Sequence, residues 1–152
     1  MSHPRLACAV AALLTLAGLL AGFAPSPAAA GPADATARAS ACVRLTPGPS
    51  DPYGHRWTGR TVCDNDAPAP IYQTTNAGSA SAQKGWLLST RSWFLCWKVG
   101  GDVGGFNHWY YTLGDRTLPG RSNAWGFVPA IYLPYPDPIQ WTPECSFAWV
   151  PA

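Results

Sequence analysis

The sequence predicts a small all-β domain, a barrel or sandwich of short strands. Three observations carry that prediction. Sixteen prolines and fifteen glycines lie among 152 residues, and beyond residue 30 they leave no window for a long amphipathic helix. Short aromatic and apolar runs alternate with turn-forming residues. Four cysteines, Cys42, Cys63, Cys96 and Cys145, follow residue 30. In an exported chain they read as two disulfides.

Export is expected from the N-terminus. "MSHPR" is a short polar start, "LACAVAALLTLAGLLAGF" is continuously apolar, and "APSPAAA" ends in small residues at an A-x-A spacing. That order reads as a signal peptide over residues 1–30. Cys8 precedes the apolar core, so it does not suit a lipid anchor, and no membrane attachment is expected after cleavage. The remaining chain has nine Lys and Arg against eight Asp and Glu. With no basic block, nucleic acid is an unsuitable partner. The length suits one domain, expected to be a monomer secreted to the extracellular space.

Residues 31–41 are small and polar and read as a disordered lead-in. Residues 42–62 hold three prolines and three glycines, so they are expected to be an irregular extension. It would be pinned by Cys42 and packed through Tyr53 and Trp57. Strand candidates follow: "APIYQTT" at 69–75, "WLLST" at 86–90, "SWFLCWKVG" at 92–100, "HWYYTLG" at 108–114 and "WGFVPA" at 125–130. The third is the clearest, being aromatic, apolar and closed by glycine. "GDVGGFN" is expected to be a loop, and "IYLP" a single 3₁₀ turn. The domain body is placed at 63–145 and a C-terminal tail at 146–152. Alternation puts Trp109 and Tyr111 on one face of their strand and Tyr110 on the other.

Four cysteines allow three connectivities, and sequence does not choose among them. We favour Cys42–Cys63 with Cys96–Cys145, the first stapling the extension and the second tying the tail to a central strand. A four-thiolate metal site is disfavoured because no two of these cysteines are two to four residues apart.

Catalytic groups are sparse. His55 and His108 are the histidines beyond residue 30, and each reads as a surface or hydrogen-bonding residue. Asp64 and Asp66 suit a turn better than a calcium site. Asp115 is expected to accept backbone hydrogen bonds in its own turn. "GGDVGG" lacks the Lys-Ser/Thr of a phosphate loop. No cofactor and no metal is expected, and neither is an enzyme. A small hydrolase would require a cleft in which a histidine touches a carboxylate.

The ordered pieces "KGWLL" (84–88), "SWFLCW" (92–97), "HWYYT" (108–112), "GFV" (126–128) and "IYL" (131–133) resemble a bacterial SH3-like (SH3b) domain. More narrowly, they are similar to small secreted actinobacterial proteins of that kind. Phe127 stands where tryptophan is usual. "APIYQTTNAG" replaces the usual opening, and the segment between Trp109 and Phe127 is longer than the pattern. The resemblance implies a small SH3-like barrel and non-catalytic binding of cell-wall peptide. The residues themselves point to aromatic recognition of a peptide or glycan, with Tyr72, Trp86, Tyr110 and Trp125 as the candidate ligand-binding rings. The alternative is a secreted protein–protein effector or inhibitor that touches its partner through residues 45–59 and 134–143.

Overall fold

The computed structural model describes residues 42–78, 82–134, 139 and 142–152. The expected signal peptide, the expected lead-in and most of the 134–143 contact loop lie outside the described residues. Within them the chain is all-β. Nine strands run in order: β1 (Val43–Leu45), β2 (Arg60–Asp64), β3 (Ala69–Tyr72), β4 (Gln83–Leu87), β5 (Arg91–Phe94), β6 (Cys96–Val103), β7 (Phe106–Leu113), β8 (Arg116–Thr117) and β9 (Trp125–Pro129). A 3₁₀ turn at Ala130–Tyr132 follows, where "IYLP" was expected to make one.

These strands form two antiparallel sheets, one of order β1-β2-β5 and one of order β6-β7-β9-β3-β4-β8. The larger sheet ends on β6 and β8 and does not close into the expected barrel. The cause is local. The predicted strand at 92–100 is two strands, broken at Leu95. β5 pairs with β2, whereas β6 pairs with β7. At the break the side-chain alternation slips, so Phe94 and Trp97 join one core while Leu95 and Cys96 join the other. One apolar run thereby serves both sheets.

The extension is not irregular throughout. It supplies β1 and β2, and β2 crosses the expected domain start at Cys63. Val62 pairs with Trp93 and Thr61 with Phe94. Prolines and glycines fill residues 46–59 and hide the short strand beyond them. The glycine-rich segment at 100–105 also departs from expectation. β6 continues through Gly100 and Gly101 to Val103, and only Gly104 and Gly105 turn. Both have positive φ, 63° and 91°, as a two-residue hairpin with the strands' twist requires. The Gly101 N–H donates to the Thr75 carbonyl at 2.8 Å, which holds this stretch extended.

Two apolar layers result. The first lies between the sheets and contains Cys63, Ile71, Leu87, Phe94, Tyr110 and Val128, all buried. The second lies on the other face of the six-stranded sheet and contains Trp109, Tyr111, Trp125, Phe127 and Val150. It is covered by Tyr53 and Trp57 from the extension and by Phe147 from the tail. The centre of the large sheet, at β9 and residues 109–112 of β7, is therefore buried on both faces. Trp109, Tyr110 and Tyr111 are all completely inaccessible, so neither face of β7 is left free.

The cover is fixed covalently. Cys42 bonds Cys63 and Cys96 bonds Cys145, the pairing favoured from the sequence. Each disulfide is worth roughly 2–4 kcal/mol. The tail also hydrogen-bonds along the free edge of β6. Trp97 N–H donates to Pro143 O at 2.9 Å, and Cys145 N–H donates to Trp97 O at 2.7 Å. It then crosses the sheet, and Val150 N–H reaches Gln73 O at 3.0 Å. These bonds satisfy an edge that would otherwise be open to pairing.

Candidate functional site

Two buried charges anchor the cover to the outer layer. The first is Asp51, whose side chain is fully buried. Its Oδ1 accepts the backbone N–H groups of Tyr53 (3.0 Å) and His55 (2.9 Å), closing a tight loop. Gly54, at φ 94°, supplies the left-handed residue in that loop. Asp51 Oδ2 accepts the Tyr111 hydroxyl at 2.7 Å and lies 2.7 Å from His55 Nδ1. Burial alone would raise the acid's pKa. Hydrogen bonds from Tyr111 and His55 outweigh that and hold the carboxyl below its ordinary range. Burial, with Asp51 beside it, pushes the Tyr111 phenol upward.

The second charge is Lys84, on β4. Its residue surface is completely buried. Nζ donates to the Tyr53 hydroxyl at 2.6 Å and to the Pro151 carbonyl. The Tyr53 hydroxyl also lies 3.0 Å from Asn123 Oδ1. Lys84 thus ties sheet, extension and tail together through one amine. Burial first, and the Arg121 charge second, lower its pKa to about 8.

An open groove of about 190 Å³ lies at the seam between extension and tail. His55, Arg56 and Trp57 form one wall, Glu144, Ser146 and Phe147 the other, and the Cys96–Cys145 disulfide also lines it. The His55 ring stacks on Phe147 with centroids 4.0 Å apart and planes 13° apart. Phe147 in turn meets Tyr111 edge-on at 5.0 Å, and Trp57 meets Tyr111 at 5.5 Å.

The four rings chosen from sequence do not line this groove. Tyr110 points into the inter-sheet core and meets Phe94 at 5.8 Å, and its hydroxyl accepts the Ile139 N–H at 3.1 Å. It has no accessible surface, so a ligand cannot reach it. Trp125 is buried between Tyr111 and Trp93, each with its centroid 5.5 Å away. Tyr72 is half-buried edge-on against Trp109, and burial raises its pKa. Trp86 is half-buried on β4, opposite Pro70 of β3 and Arg116 of β8. Among the described residues the most exposed ring is Trp149, in the tail, at 55 %.

The other polar candidates have structural partners. Asp64 pairs with Arg91 at 2.6 Å on the surface. Asp115 accepts the N–H groups of Leu88 (2.6 Å) and Ser89 (2.8 Å), so it braces a neighbouring loop and not its own turn. His108 sits edge-on to Trp97. Among the described residues no group of three or more His, Cys, Asp or Glu side chains is placed to hold a metal. His55 does touch a carboxylate, as a hydrolase would require. Ser146 lines the same groove, but among the described residues no hydroxyl or thiol is hydrogen-bonded to the His55 ring.

Sequence reasoning placed Trp57 in the extension and Phe147 in the tail but left them apart. The available signal was "SDPYGHRW". An aspartate four residues before a histidine, with proline and glycine between them, is a loop that can fold the two together. No family model matches the chain, and neither a curated protein nor a solved structure does. Two disulfides fit an oxidising compartment, and among the described residues no helix is long and apolar enough to cross a membrane.

Proposed function

We propose that the chain is a secreted binding module that takes cell-wall peptide or glycan in the seam between extension and tail. The observation that carries this is the groove. It combines flat rings (His55, Trp57, Phe147) with an Arg56 cation and a Glu144 anion in an open, pre-formed cleft. Such a mixture of apolar surface and a few polar groups is typical of ligand sites. The SH3-like resemblance supports the same class of ligand, and the proposed signal peptide and the two disulfides support secretion. The test is co-sedimentation with purified peptidoglycan. Retention is expected for the exported protein and is expected to fall at least tenfold for Trp57→Ala. Equal recovery in the pellet with and without peptidoglycan would sink the proposal.

A second reading, a small hydrolase, is favoured by the Asp51–His55 contact at 2.7 Å. There Asp51 would orient the imidazole as base for an attacking water. It predicts release of labelled wall fragments that is lost in His55→Ala. Retention without release supports the binding module instead.

A further inference from the structure

On the reading that the seam is the binding site, we infer that its occupant is a sugar ring and not a peptide segment. The groove's polar groups are side chains of both kinds, hydrogen-bond acceptors and donors. The Asp51 carboxylate can only accept, so His55 Nδ1 carries the hydrogen between them. The other ring nitrogen, Nε2, is left for a ligand: it accepts a hydrogen bond when bare and donates one when it carries a proton. Nε2 has no hydrogen-bond partner among the described residues. Glu144 Oε1 accepts the Lys98 amine at 2.8 Å, and its other oxygen is a further acceptor. Ser146 adds a hydroxyl, and Arg56 supplies donors from the opposite wall.

An extended peptide commonly binds by extending a sheet edge, through main-chain N–H and C=O groups. Here that edge is used. Trp97 N–H and Trp97 O of β6 are bonded to Pro143 and Cys145 of the tail. What remains beside the groove is side-chain donors and acceptors next to aromatic rings. A pyranose fits that set. Its hydroxyls pair with His55 Nε2, donate to Glu144 and accept from Arg56, and its C–H face lies against the ring surface that the His55–Phe147 stack leaves open. At about 190 Å³ the groove is smaller than the ~300–1,000 Å³ of drug-sized sites, so it accommodates one ring of a longer glycan.

The test is calorimetric titration of the exported protein, both disulfides formed, with a chitin tetrasaccharide and, separately, with an unglycosylated wall stem peptide. The tetrasaccharide is expected to bind, and binding is expected to weaken at least tenfold in His55→Asn and in Glu144→Ala. The Asn amide keeps an N–H toward Asp51 while removing Nε2. Glu144→Ala alters only an exposed pair, so folding is not at issue. Binding of the stem peptide without the sugar would overturn the sugar assignment and leave the binding module standing. Sugar binding unaffected by both substitutions would also overturn it. Failure of both ligands and of intact peptidoglycan to bind would overturn the sugar assignment and the binding module together.

Discussion

The two faces of the six-stranded sheet are built differently. Between the sheets the layer is a conventional apolar core, with Ile71, Leu87, Phe94 and Val128 closed in by strands. On the outer face the layer is aromatic, and its cover is loop and tail. That cover lacks the continuous ladder that joins strands, so disulfides and two buried charges hold it. The first layer specifies the fold. The second leaves a seam where two covers meet, and the seam is the groove.

The largest expected effect belongs to the inter-sheet core. Phe94→Ala should cost about 3–5 kcal/mol through lost burial and an unfilled cavity, read as a lower denaturation midpoint. A loss under about 1 kcal/mol would contradict the assignment of that layer as the main core. Next is the outer layer. Asp51→Ala leaves the buried Tyr111 hydroxyl and two loop N–H groups without their acceptor. It should cost about 1–3 kcal/mol and weaken the groove more than the fold. Unchanged ligand binding in this variant would separate the loop from the site.

Lys84 makes a prediction of opposite sign. Its folded pKa, about 8, lies below the ordinary lysine value, so the folded state releases the proton more readily than the unfolded chain. Stability should therefore rise between pH 8 and 10, by up to ~1.4 kcal/mol per pH unit. Above pH 10 the trend should reverse. The unfolded chain then ionises its tyrosines, while burial keeps Tyr111 protonated in the fold. Lys84→Met should abolish the rise, and denaturant titrations across this range check it. The smallest effect is at the surface. Asp64→Asn breaks an ion pair whose partners are both about half exposed, at a cost of about 0–1 kcal/mol.

The same contrast explains what the sequence disclosed. β3, β7 and β9 were legible because turn residues bracket short aromatic or branched runs, and the alternation at Trp109, Tyr110 and Tyr111 sorts them onto two faces; β4 was misplaced, since it spans Gln83–Leu87 and not the expected 86–90. β2 was not, because its pairing with β5 depends on a partner thirty residues away and its flank is rich in proline and glycine. The break at Leu95 was hidden because an unbroken apolar run carries no mark of where it changes sheets. Burial decided the site residues. Tyr110 and Trp125 looked available on a strand considered alone, but a second sheet covers one and stacked rings cover the other. Asp51 and His55 were four residues apart in plain view, yet only the tail, brought across by Cys145, turns that loop into a wall.

The most direct test of the account is hydrogen exchange on the protein with both disulfides formed, with and without sonicated peptidoglycan. Protection is expected to concentrate at residues 55–57 and 144–147. Protection confined to the neighbourhood of Tyr72 and Trp86, with the seam unchanged, would contradict it.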